Sequence, residues 1–235
     1  MTAQNKHNPI IIALDVETAD AALALVRKIG PRVDFYKVGL ELYAAAGMEI
    51  VRRLTGEGKQ VFLDMKMYDI PETVSRAVAR VAETGARFLT VHAVSSVMRA
   101  AVAARAGSQL QILAVTVLTS FGAEDMEDLG YDASVAGLVE RRARKAAEIG
   151  VDGIVASPLE AAGVRRIVGP GTLIVTPGVR SAGADPGDQK RVATPAKAIA
   201  DGADYLVIGY WLLRNSCLTP CLTFWRGLIP STSVC

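Results

Sequence analysis

Eight short runs of β-branched and apolar residues, separated by longer amphipathic stretches, constrain the fold of this chain more than any other feature of it. The runs are Ile10 to Leu14, Phe35 to Val38, Gln60 to Leu63, Phe88 to Val91, Gln111 to Val115, Gly153 to Ala156, Thr172 to Val175 and Tyr205 to Ile208. Apolar residues recur at helical spacing between them, in Ala19 to Ile29, Glu41 to Leu54, Pro71 to Glu83, Ser134 to Ile149 and Pro195 to Ala200. Val74, Val78 and Val81 form one such stripe, expected to face a core. Gly30, Gly85, Gly150 and Gly202 stand where helices must stop before the next strand, a position that favours a residue tolerant of positive φ. Eight βα units in about 210 residues predict an α/β fold, a (β/α)8 TIM barrel. An open doubly wound sheet shares this local pattern, but no GxGxxG follows the first strand, which weakens a dinucleotide-binding reading.

Composition narrows the function classes. With 51% hydrophobic and 21% charged residues, the 235-residue chain has enough apolar material for one sizeable core, and no Pro/Ser/Gly-rich linker divides it. The formal net charge of +2 is small and the basic residues are scattered, so nucleic acid is not an expected partner. The stretch from Met1 to Pro9 is polar, unlike a secretory signal, and no apolar run approaches the roughly 20 residues of a membrane helix. A cytoplasmic protein without membrane attachment is expected. Cys217, Cys221 and Cys235 all fall in the last stretch and form neither a CxxC pair nor a disulfide framework. With only His7 and His92 present, a His-rich metal site cannot be assembled.

In a parallel barrel the chemistry belongs at the carboxyl ends of the strands. There the sequence places charge: Asp15 after the first run, Lys37 within the second, and Asp64, Lys66 and Asp69 after the third. Burying one charge is costly, so a cluster of alternating sign is tolerable only if its members pair and hydrogen-bond one another. A lysine flanked by two aspartates is held as an ammonium, positioned to deliver a proton to negative charge developing on a substrate carbon. The plainer alternative makes Asp64 and Asp69 loop-capping residues, with Asp69 and Pro71 opening the next helix. His92 ends the fourth run and is read as a structural hydrogen-bonding residue with no catalytic role.

The stretch Asp64-Met65-Lys66-Met67-Tyr68-Asp69-Ile70-Pro71 resembles the DxKxxDIP signature of the orotidine 5'-phosphate decarboxylase family, with Asp15 and Lys37 also where that family has them. Thr116 to Ser120 (TVLTS), Thr176 to Arg180 (TPGVR), Gly187 to Arg191 (GDQKR) and Gly202 to Gly209 (GADYLVIG) continue the likeness in order, over roughly the first nine-tenths of the chain. A lone DxKxxD is weak, because related sugar-phosphate barrels carry it; the ordered set is specific. The resemblance implies that Lys66 protonates the carbon vacated by carbon dioxide, that Asp64 and Asp69 frame the carboxylate, and that Lys37 completes the charge network. It implies that Asp15 and Lys37 bind ribose hydroxyls and that Thr119 contacts the pyrimidine. It further implies a homodimer in which Asp69 and Ile70 complete the partner's site. Orotidine 5'-phosphate is the implied substrate, and no metal or organic cofactor is implied.

Loops after the seventh and eighth strands commonly bind phosphate in such barrels. Pro177, Gly178, Arg180 and Gln189 lie after the seventh run and Gly209 ends the eighth, although any one of these glycines is also what a simple turn requires. After Gly209 the chain departs from the family, which places a phosphate-gripping arginine where this sequence has Tyr210. Losing a charge-assisted contact of that kind forfeits roughly 2 to 4 kcal/mol, about 30- to 1000-fold in catalytic efficiency. Residues 210–235 contain no acidic residue, hold both tryptophans and every cysteine, and place Pro220 inside an expected closing helix. The expected division is therefore a catalytic barrel over 1–209 and an atypical tail over 210–235. An altered reading frame, appended foreign sequence and genuine divergence all account for that tail. Two other functions compete: a metal-dependent sugar-phosphate decarboxylase or aldolase, which is expected to carry a carboxylate in place of Lys37, and a nucleotide-binding barrel that has lost turnover.

Overall fold

A computed structural model of the chain describes residues 8–132, 134–179 and 193–209. Within them eight parallel strands close into a barrel in chain order. These are β1 (Ile10–Ala13), β2 (Phe35–Val38), β3 (Gln60–Met67), β4 (Phe88–His92), β5 (Gln111–Val115), β6 (Gly153–Val155), β7 (Leu173–Thr176) and β8 (Tyr205–Gly209). Closure is through β1 and β8, where Ile11 pairs with Val207 and Ala13 with Gly209. Helices fill every interval between strands: α1 (Ala19–Ile29), α2 (Leu40–Gly56), α3 (Pro71–Ala82), α4 (Ser95–Ala104), α5 (Ala123–Asp128) with α6 (Val135–Ile149), α7 (Ala161–Val168) and α8 (Pro195–Ala200). The barrel expectation holds and the open-sheet alternative does not. Of the helices, α4, α5 and α7 extend the set picked out by apolar spacing. The segment predicted as one helix from Glu41 is broken at Gly47 (φ 59°, ψ −155°), a conformation that a side chain would strain.

Two cores follow from strand geometry. Successive side chains on a strand point to opposite faces, so one set fills the barrel and the other meets the helices. The outer set, including Ile10, Ile12, Tyr36, Val38, Val61 and Leu63, packs against the apolar stripes of the helices, among them the predicted Val74, Val78 and Val81. The inner set is a smaller cluster built on Ile11, Ala13, Phe35, Phe62, Phe88, Leu113, Val155, Val175 and Tyr205. Four aromatic rings make its floor, with Phe35 and Phe88 at 5.0 Å, Phe62 and Phe88 at 6.0 Å, and Tyr205 edge-on to Phe88 at 5.3 Å. The Arg87 guanidinium lies 5.3 to 5.5 Å from the Phe35, Phe88 and Tyr205 ring centres and donates to the Tyr205 hydroxyl at 2.8 Å. The lower half of the barrel is thus a packed plug, and open chemistry is confined to the upper end.

Candidate active site

Counting two residues up from each inward apolar side chain gives the site. Ala13 leads to Asp15, Phe35 to Lys37, Phe62 to Asp64, and Phe88 to Thr90 and then His92. The same alternation that fills the barrel with hydrocarbon below delivers charge and hydrogen-bonding groups at the mouth. The Lys37 ammonium sits 3.0 Å from Asp15 Oδ1 and 4.0 Å from Asp64 Oδ2, and Lys66 Nζ lies 2.9 Å from that same Asp64 oxygen. The side chains of Lys37 and Asp64 are only 13% and 14% exposed, so their attraction is poorly screened by water. Asp15 and Lys66 reach further toward solvent. Four of the residues singled out in the sequence therefore form one alternating chain of charge, Asp15, Lys37, Asp64, Lys66.

The placement of Lys66 differs from the expected one. Asp64 and Lys66 lie inside β3, which runs on to Met67, and not in a loop after it. The ladder to β4 slips here: the four steps from Leu63 to Met67 lie against the two from Leu89 to Val91. Lys66 takes a φ of 48°, alone among the described non-glycine residues in being positive. Its backbone N–H, turned out of the ladder, donates at 2.9 Å to Thr90 Oγ1, and that hydroxyl donates at 2.8 Å to Asp64 Oδ1. Thr90 is fully buried. One hydroxyl thus holds both the strained backbone of the lysine and the carboxylate paired with it. The sequence reading passed over Thr90; its signal was a polar residue at an inward position of an otherwise apolar strand. Gly39 was missed too. A Cβ there would stand 3.0 Å from Lys37 Nζ and 3.5 Å from Asp15 Oδ1, so the glycine leaves room for that pair.

Asp69 and Ile70 do not join the cluster within one chain. Asp69 is exposed and accepts the Ile70 backbone N–H at 2.6 Å, while Ile70 presents an apolar side chain to solvent with 65% exposure. Nor does Asp69 cap α3: Ile70 occupies the cap position and Pro71 the first turn. Thr119 lies half-buried in the segment after β5, Pro177 half-buried after β7, and Gly209 closes β8 opposite Ala13. Gly178, beside Pro177, has a φ of 76°. Arg180, Gln189, Tyr210 and the tail that follows lie outside the described residues.

His92 faces the same mouth. Its ring meets that of Tyr68 at 5.5 Å, tilted by 53°, so its contact is aromatic where a structural hydrogen bond was expected. Burial, then the charges of Arg142 and Lys66, push its pKa below the ordinary 6.5 and keep the imidazole neutral. Among the described residues no group of three or more His, Cys, Asp or Glu side chains converges so as to hold a metal ion.

Fold and site together define a class: a (β/α)8 barrel whose working charges rise from the carboxyl ends of β1 to β3 and are braced by β4. Residues 8–215 match the family described as orotidine 5'-phosphate decarboxylase / HUMPS, and the chain belongs to that family. An orotidine 5'-phosphate decarboxylase of Rhodopseudomonas palustris (strain BisB5) is 56% identical over 200 residues, covering 85% of each chain. One from Afipia carboxidovorans is 52% identical over 208 residues, 88% of each. The crystal structure of orotidine 5'-phosphate decarboxylase from Lactobacillus acidophilus superposes with a TM-score of 0.82 at 31% identity, over 96% of this chain and 100% of that one. No helix among the described residues is long and apolar enough to cross a membrane.

Proposed function

We propose that this chain is a cytoplasmic enzyme that decarboxylates orotidine 5'-phosphate to uridine 5'-phosphate, the closing step of de novo pyrimidine nucleotide synthesis. The observation that carries the reading is the Asp15, Lys37, Asp64, Lys66 chain at the barrel mouth, together with membership of the family. As the bond from the ring carbon to the carboxylate breaks, carbon dioxide departs and the electron pair stays on that carbon. Lys66 Nζ then gives it a proton and regains one from water. Asp64, and Asp69 from a partner subunit, frame the carboxylate, and Lys37 balances their charge. These fixed charges stabilise the carbanion-like transition state more than they stabilise the bound carboxylate, which is what lowers a barrier. Asp15 and Lys37 hold the ribose hydroxyls, Thr119 contacts the pyrimidine, Ile70 from a partner subunit completes the site beside Asp69, and Pro177, Arg180, Gln189 and Gly209 take the phosphate. Residues 1–209 make up the catalytic barrel, and 210–235 form a tail of different character that puts Tyr210 where the family has its phosphate-gripping arginine.

The test is the fall in ultraviolet absorbance of orotidine 5'-phosphate on adding metal-free protein, with Lys66→Ala beside it. Turnover abolished by Lys66→Ala supports the reading; nucleotide binding without turnover in the unaltered chain replaces it with an inactive barrel. Mixing Lys66→Ala with Asp69→Ala tests the shared site, because mixed dimers restore about a quarter of the sites if Asp69 crosses the interface and none if it does not.

A further inference from the structure

One side chain ties together both ends of the segment that carries Thr119. Arg142 rises from α6 and donates from Nη1 to the backbone carbonyl of Thr116, the first residue after β5. From Nη2 it donates at 2.7 Å to the hydroxyl of Tyr131, which follows α5, and its guanidinium lies 5.3 Å from the centre of that ring. Thr116 is itself anchored to the barrel through its hydroxyl, which donates to the Val155 carbonyl at 3.1 Å. Tyr131 is exposed, so the far end of the loop depends on contacts of this kind. Beneath the loop lies a cavity of about 170 Å³, bordered by His92, Phe121, Met126, Leu138 and Arg142. The roof is therefore not seated by packing alone, and a fixed strut has something to oppose.

We propose that Arg142 is a positioning residue that closes the Thr116–Tyr131 loop into a ring and so presents Thr119 to the substrate. The inference rests on the reading of Thr119 as a pyrimidine contact. Arg142 touches neither substrate nor the reacting atoms; it acts by raising the fraction of molecules whose loop is already in place. A protein whose binding-competent state is less populated shows a proportionately weaker apparent affinity. Once substrate is bound the loop is held by it, and the chemical step is unchanged.

Arg142→Met is expected to raise KM about tenfold while kcat stays within about twofold. Amide hydrogen exchange of residues 117–131, measured without substrate, should speed up while the strands of the barrel keep their protection. Tyr131→Phe, which removes one hydroxyl, should give a smaller change in the same direction, and the double variant should be no worse than Arg142→Met. Arg142→Lys keeps the charge beside His92 but not the two bonds and the ring contact, and should stay nearer the Met variant than the unaltered chain. Should Arg142→Met fail to fold, Tyr131→Phe alone carries the exchange measurement. A fall in kcat at constant KM, or loop exchange unmoved in both variants, overturns the proposal. Absence of turnover in the unaltered chain would sink the decarboxylase reading, while exchange would still report on the strut.

Discussion

Thr90→Val is the perturbation that most directly probes how this site is held. Valine matches threonine in shape, so packing is kept and only the hydroxyl is lost. Two hydrogen bonds go with it: the one accepted from the Lys66 N–H at 2.9 Å and the one donated to Asp64 Oδ1 at 2.8 Å. A buried N–H left without a partner costs about 1 to 3 kcal/mol, and a bond to a carboxylate is worth a similar amount. Asp64 is slightly exposed, so water recovers part of its loss, and a total of roughly 2 to 4 kcal/mol is expected. For a chain of this length that lowers Tm by roughly 5 to 15 °C. Activity should fall further than stability alone predicts, because the Thr90 bond keeps Lys66 at its φ of 48°, a conformation that costs about 1 to 3 kcal/mol when unsupported. Relaxation of that backbone displaces the ammonium, and a shift of about 1 Å at a reacting group lowers rate roughly 100-fold. Thermal unfolding and steady-state decarboxylation of Thr90→Val, with Thr90→Ser as the hydroxyl-preserving control, make the measurement. A Thr90→Val protein indistinguishable from the unaltered chain in both Tm and kcat/KM refutes the bracing role.

Three other outcomes are expected. His92 should titrate below 6.5 by NMR, and Arg142→Met should move it upward by removing a neighbouring positive charge. Because the unfolded chain binds that proton more readily, the stability that His92 contributes is complete above 6.5 and is lost as pH falls toward its lower folded value; a midpoint at or above 6.5 contradicts this. Gly153→Ala places a Cβ 2.6 Å from Leu113 Cδ2 and 3.0 Å from the Leu173 carbonyl, so overpacking should destabilise by about 1 to 3 kcal/mol in chemical denaturation; an unchanged midpoint would show that β6 yields freely. Tyr210→Arg should raise kcat/KM toward orotidine 5'-phosphate by roughly 30- to 1000-fold, and no gain would mean that Arg180 or the tail already grips the phosphate.

Periodicity was enough to read alternating strands and helices, because each strand has one face in the inner plug and one against the helices, and the longer helices carry an apolar stripe; closure of the sheet into a barrel is what the structure decided. The charges were equally legible: Asp15, Lys37, Asp64 and Lys66 stand at strand ends where hydrocarbon is the rule, and ionised groups persist there only in company. That much is local, carried by residue type and spacing along the chain. The slip between β3 and β4, the positive φ of Lys66 and the hydroxyl that supports both are not local. They depend on Thr90, 24 residues further along, whose polarity is informative only once its neighbour across the ladder is known. The same holds for the Tyr68 ring against His92 and for Arg142 joining the Thr116 carbonyl to the Tyr131 hydroxyl, contacts between residues well separated along the chain. Burial and charge pattern are properties of single residues and survive in a linear string; register, strain and bracing are properties of pairs, and exist only when the closed barrel brings the pairs together.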